Sequence, residues 1–195
     1  MTLDFINVGY GDAILIRSGS FTMLVDCGDW TVGDGGPDSQ RISAADFLRQ
    51  EGIDTLDLLV LTHLHRDHSG GLTKLLECVA VRSFRCNYLP DRIFWGKRVP
   101  VPEGFSAGAR CLLESLNVFL SALAIMERQG TEISLASPGA WPLTPELTAE
   151  CFLEAQPIFE RQAAIWQNVL EDRADNRELE ELDGFINNTS IRLRL

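Results

Sequence analysis

The 195-residue chain holds only three histidines, and none lies after residue 68. A closed two-metal site is therefore not plainly encoded. The five cysteines, Cys27, Cys78, Cys86, Cys111 and Cys151, are odd in number and form no C-x-x-C. A disulfide framework is not expected, and the cysteines read as small core residues in a cytoplasmic protein. No run of eighteen apolar residues occurs. The best stretch, Leu116 to Met126, contains Asn117 and Ser121 and reads as a buried amphipathic helix, so no membrane span is expected. The N-terminus shows no basic region followed by an apolar core, so no secretory signal is expected. Positive charge is also scarce. The net charge is −11, and from Glu146 to Asp183 eleven acidic and three basic residues give −8, leaving −3 for the remainder. The acidity belongs to one segment and reads as a solvated face.

What is present is concentrated. All three histidines fall within six residues, in Thr62-His63-Leu64-His65-Arg66-Asp67-His68-Ser69-Gly70-Gly71. They follow Leu56-Asp57-Leu58-Leu59-Val60-Leu61, an apolar run that reads as a buried strand. A catalytic divalent metal takes imidazole and carboxylate ligands and keeps an open position. His63 and His65, two residues apart in extended chain, point the same way and share one metal. Asp67 and His68 serve a second if the chain turns sharply, which Ser69-Gly70-Gly71 permits because glycine tolerates left-handed dihedrals. Two ions about 3.5–4 Å apart clamp a bridging hydroxide. A helix from about Leu72 to Cys78 would aim its first amides at the same region and favour an anionic substrate.

Elsewhere, residues 3–8, 13–17 and 21–25 read as a meander of antiparallel strands, the first two joined by Gly9-Tyr10-Gly11-Asp12. Residues 31–38 read as a flexible loop. Ser43 caps a helix that ends at Gly52. Residues 79–84 and 132–136 read as strands, 87–105 as loop, and 106–129 as a long helix. Residues 145–183 read as helical, with a break at Pro157, and 191–195 as a strand of alternating apolar and basic residues. Strands alternating with helices give an α/β or α+β layered fold with mixed sheets in a single domain over 1–195.

The loop Thr62-His63-x-His65-x-Asp67-His68 with Gly70-Gly71 resembles the signature of the metallo-β-lactamase superfamily of metal-dependent hydrolases. Phe5-Ile6-Asn7-Val8-Gly9-Tyr10-Gly11-Asp12-Ala13 resembles the "VGQGDA" opening of the soluble domain of competence DNA-uptake proteins of the ComEC type. Leu24-Val25-Asp26-Cys27-Gly28 and Asn187-Asn188-Thr189-Ser190-Ile191-Arg192-Leu193 resemble two further strands of that group. The similarity is good over residues 2–76 and extends to 131–139 and 186–195. It implies an αββα sandwich with His63 and His65 on one metal, zinc in this family, and Asp67 and His68 on the second. It implies Asp67 as the partner of the nucleophilic water, and Asp26 as an acceptor that orients a ligand imidazole. Asp12 faces the same cleft from the first turn. A phosphodiester substrate, nucleotide or nucleic acid, is implied over a lactam or thioester. Arg66, Arg82, Arg85, Arg92, Lys97 and Arg98 read first as ordinary solvated surface, with a basic rim after the metal loop as the alternative.

The family's later aspartate in a "GD" step and its later histidines have no match here. The chain thus reads as the first half of the sandwich plus one strand of the second, with an acidic helical insertion over about 145–183. It would act as a hydrolase. Otherwise it would be an incomplete binding or regulatory module, or a subunit completed by another chain through a homo-oligomer or through the acidic segment.

Overall fold

The computed structural model describes residues 1–33, 36 and 39–195, so residues 34, 35, 37 and 38 of the expected 31–38 loop lie outside the described residues. Strands β1 (Thr2–Phe5), β2 (Ile14–Ser18) and β3 (Phe21–Val25) form the antiparallel meander. Helix α1 (Ala44–Gln50) follows, capped by Ser43, whose hydroxyl accepts the Asp46 amide. β4 (Thr55–Leu61), β5 (Ala80–Cys86) and β6 (Glu132–Leu135) then add in parallel, completing one six-stranded sheet in the order β1-β2-β3-β4-β5-β6.

β4 reads as a continuous apolar run because both its faces are covered. Leu59 and Leu61 pack under the helices with Leu15, Leu24, Phe84 and Phe119. Leu58 and Val60 point the other way, with Ile16 and Met23, onto a second sheet. That sheet holds β7 (Gly139–Thr144), β8 (Leu147–Phe152) and β9 (Arg192–Arg194), all antiparallel. Trp141, Ala149, Cys151 and Ile191 close the space between the sheets.

Helices α2 (Arg66–Ser69) and α3 (Leu72–Leu76) follow the histidine loop, and α4 (Ala107–Gln129), α5 (Gln156–Leu170) and α6 (Asn176–Phe185) follow later. Apolar residues of α1, α3, α4, α5 and α6 all join the core under the first sheet. Among the described residues the layers are therefore helices, sheet and sheet. α4 is long and apolar enough to cross a membrane by length and composition. Here it lies in the core, with Leu116, Phe119, Leu120 and Leu123 fully buried.

The structure corrects the reading of 145–183. Its first residues form β8, which pairs with β7 just before it, so three strands of the second sheet are present where one was expected. In β8, Leu147, Ala149 and Cys151 are buried while Thr148 and Glu150 face outward, a period-2 pattern masked by the acidic composition. Pro142 is tolerated because β7 is an edge strand. Pro157 starts α5 instead of kinking it, since a first-turn proline loses no helical hydrogen bond. Part of the acidity is not a helical face at all. Glu150 stands opposite Arg194 across β8 and β9 and pairs with it, and Glu154 pairs with Arg192.

Candidate metal centre

Three loops stack at the end where β3 and β4 finish. The Asp26-Cys27-Gly28 turn receives the histidine loop through Cys27 N–H to His68 O (2.9 Å) and Gly71 N–H to Gly28 O (3.0 Å). The Gly28 amide in turn donates to Asp12 O (2.9 Å). The sharp turn exists, but not for the expected reason. Gly70 and Gly71 have right-handed helical dihedrals. They are glycines because a Cβ would overlap the Trp30 amide nitrogen and the Cys27 carbonyl oxygen respectively. Gly11, at φ +77°, does need left-handed freedom, and a Cβ there would overlap the Asp67 carbonyl. The expected anion-attracting helix is corrected too. α2 and α3 span four and five residues, and the Gly71 amide is spent on Gly28.

α2 is a short helix that the sequence did not announce. It begins directly after His65, with Ser69 Oγ donating to His65 O (3.0 Å). Its turn folds His68 back towards His63, so that their ring centroids are 4.2 Å apart, while His63 and His65 are 4.9 Å apart. The structure thus brings the three imidazoles together. Asp67 sits at the rim, 45% exposed, its Oδ2 3.8 Å from His68 Nε2. Asp12 and Asp26 line a cavity of about 350 Å³ with Thr62, His63, His68 and Ser190. Its other walls are apolar and include Phe5, Met23 and Ile191.

His63 and His68 each have one nitrogen held from outside, and His65 has both, Nε2 by Asp183 and Nδ1 by Asn187. Asp26, 2% exposed, accepts from the Thr62 amide (2.8 Å), the Thr62 hydroxyl (2.7 Å) and His68 Nδ1 (2.7 Å). It lies at φ +59°, a left-handed backbone that is unusual outside glycine and concentrates at functional sites. His63 Nδ1 lies 3.0 Å from Thr62 Oγ1 and 3.2 Å from Ser190 Oγ. Both hydroxyl protons are already committed, to Asp26 and to Asn187 O (2.7 Å). His63 Nδ1 must therefore carry the proton and donate, leaving Nε2 bare. His65 Nε2 faces Asp183 Oδ1 at 3.3 Å.

Electrostatics agree. Burial, reinforced by repulsion from the other two imidazoles, pulls His63 down to about 3, so it is neutral. Burial also pulls on His68, but the Asp26 hydrogen bond and charge win and raise it. Burial raises Asp26, against the opposing His68 contact.

The inward nitrogens, His63 Nε2 and His65 Nδ1, approach to 3.2 Å. Two nitrogens bound tetrahedrally to one zinc at ~2.05 Å would stand roughly 3.3 Å apart. With its proton on Nε2, His65 presents a second bare nitrogen to His63 Nε2, and in that tautomer the pair fits a metal; with its proton on Nδ1 the two share a hydrogen bond instead. Among the described residues, however, no three His, Cys, Asp or Glu groups stand together as a ready metal cage. The donors come as two pairs.

The metallo-beta-lactamase superfamily profile matches residues 6–105, a stretch that contains all three histidines, Asp12, Asp26 and Asp67. The chain belongs to the metallo-beta-lactamase superfamily. Among curated proteins, it is 33% identical over 89 residues to a hydroxyacylglutathione hydrolase of Aeromonas salmonicida (strain A449), covering 46% of this chain and 27% of that protein. The metallo-beta-lactamase SMB-1, solved with mercaptoacetic acid, aligns over 77% of this chain and 49% of its own at 15% identity, TM-score 0.45. The superfamily protein ST1585 from Sulfolobus tokodaii aligns over 77% and 54% at 20% identity, TM-score 0.43. The chain spans about a quarter of the curated relative and about half of these solved ones.

Of Arg66, Arg82, Arg85, Arg92, Lys97 and Arg98, five are engaged separately instead of lining one rim. Arg66 donates to Asp29 (2.9 Å) beside Trp30, Arg92 pairs with Glu127, and Arg85 and Lys97 stack on Trp141 and Phe94. Arg82 pairs with Asp57 near the opposite end of β4. The sequence also gave no sign that Asp183 would meet His65, since 118 residues separate them.

Proposed function

We propose that this superfamily member is a metal-dependent hydrolase that uses a metal-activated water, with zinc as the ion and the cytoplasm as its setting. His63 Nε2 and His65 Nδ1 would hold one ion, and His68 Nε2 with Asp67 the second. A bound zinc lowers the pKa of its water towards ~7 and supplies hydroxide at neutral pH. The protein's own part is orientation. Asp26 fixes His68, and Thr62 and Ser190 fix His63, each with its bare nitrogen inward. Asp67, at the rim, is placed to accept a proton from or to orient the nucleophilic water. The observation that carries the reading is that the three imidazoles converge, with Nδ1 of His63 and Nδ1 of His68 engaged from outside and the other nitrogen of each left free.

The resemblance to ComEC-type domains favours a phosphodiester substrate, nucleotide or nucleic acid. The hydroxyacylglutathione hydrolase relative favours a thioester instead. A second reading, a binding or regulatory module or a subunit completed by another chain, is favoured by the pairing of donors in twos among the described residues.

The test measures bound zinc per chain, and chelator-sensitive hydrolysis of bis(p-nitrophenyl) phosphate and of a glutathione thioester, for the parent and for His65→Ala. Hydrolysis lost in the variant supports the enzyme, and the ester preferred sets the substrate class. Firm binding without turnover supports the module or the shared subunit. No bound zinc in excess metal overturns both.

A further inference from the structure

His65 is contested. Its Nε2 lies 3.3 Å from Asp183 Oδ1, and its Nδ1 lies 3.1 Å from Asn187 Oδ1. A neutral imidazole has one proton and can satisfy only one of these acceptors. If the proton sits on Nδ1 and is given to Asn187, the nitrogen that faces His63 is blocked. If it sits on Nε2 and is given to Asp183, Nδ1 keeps a free lone pair towards His63 Nε2. A carboxylate is the stronger acceptor of the two.

Asp183 also lies against the start of α4. Its Oδ2 occupies the space a Cβ would take on Gly108, in the first turn of the 23-residue helix α4. The exposed amides of a helix's first turn favour a negative charge there. The missing side chain at Gly108 lets the carboxylate of α6 reach across to the histidine loop.

We propose that Asp183 is the positioning residue that sets the tautomer of His65, holding its proton on Nε2 so that Nδ1 is free for a cation. The acidic helix α6 then acts on the metal site of this chain, where its charge had suggested a surface for partners. The metal half of the proposal rests on the hydrolase reading above, whereas the tautomer half stands without any metal.

The experiment uses the full chain labelled with 15N, first stripped of metal, with long-range 1H–15N correlation spectra of the His65 ring. The parent should show the proton on Nε2. Asp183→Ala should move it to Nδ1, and Asp183→Asn, which keeps an acceptor oxygen, should restore it in part. Gly108→Ala leaves the carboxylate intact but displaces it, and should mimic Asp183→Ala. Zinc affinity, read by competition with a chromophoric chelator, should fall about tenfold in Asp183→Ala and recover when Asn187→Ala is added, because the competing acceptor is gone. Unchanged melting and circular dichroism would separate these effects from unfolding. If the parent holds its proton on Nδ1, or if Asp183→Ala leaves the tautomer as it was, the proposal is overturned. If the tautomers behave as stated but the parent takes up no zinc, the hydrolase reading fails and the positioning role of Asp183 remains.

Discussion

Residues up to 105 and residues beyond 180 serve the same pocket in different ways. The first stretch supplies every imidazole and one set of acceptors, Asp26 and Thr62, joined through neighbouring strand ends. The second supplies no imidazole, yet Asp183, Asn187 and Ser190 reach the outer or inner nitrogens of His63 and His65. The difference shows that ligand identity and ligand aim are encoded far apart. His68, on α2, is aimed from within that first stretch, by Asp26 in the turn that follows β3. His65 is aimed by a helix that lies outside the stretch matched by the family profile.

The sharpest break of that contrast is to remove a donor. His63→Ala or His65→Ala should weaken zinc binding by more than about a hundredfold, beyond the 10–100-fold cost of losing an outer hydrogen-bond partner. A chelator competition reads it, and binding that survives intact would mean the cation sits elsewhere.

Asp26→Ala comes next. It strands the Thr62 amide, the Thr62 hydroxyl and His68 Nδ1 in a buried site. Urea unfolding of the metal-free chain should show a loss of about 3 kcal/mol, each orphaned buried group costing ~1–3 kcal/mol with partial relaxation. Gly71→Ala should cost about 2 kcal/mol by forcing the histidine loop off the Cys27 carbonyl, within the range for overpacking a tight contact.

Acid sharpens the comparison further. His63 has a folded pKa near 3 against about 6.5 when free, so between those values the unfolded chain binds more protons. Metal-free stability should therefore fall as pH drops from 6.5 towards 3, and His63→Gln should flatten that slope. His68, raised by Asp26, has the opposite sign. Its contribution is complete below 6.5 and is lost as pH rises through its folded value. The smallest effect is expected at Arg194→Ala, an exposed cross-strand pair, at about 0.5 kcal/mol in the same unfolding assay.

Much of this was legible in the chain. The meander, the Ser43 cap, β4 and the long helix over 107–129 follow from period, caps and glycines. What was hidden was hidden by particular physics. Acidic residues at Glu146, Glu150 and Glu154 made a hairpin look like a helix, though Leu147, Ala149 and Cys151 alternate as a strand should. Glycines 70 and 71 were read for their dihedrals when neighbouring backbone dictates them. The basic residues after the loop read first as solvated surface, and their partners, Asp29, Asp57, Glu127 and the aromatic rings, scatter them. His63, His65, Asp67 and His68 could be singled out from residue type and spacing, and Asp26 from the family resemblance. Asp183 could not, because nothing local marks a carboxylate that acts 118 positions away.

That separation bears on how the molecule assembles. Contacts spanning 118 to 127 positions tie His63 and His65 to α6, to the Ile186–Thr189 turn and to Ser190. Such contacts form late, since long chain loops must close first. During synthesis the histidine loop emerges well before the groups that discipline it. An ion captured early would meet loose, interconverting rings. Tight uptake should thus appear only late in refolding, making metal affinity a clock for the docking of α6 and the turn that follows it.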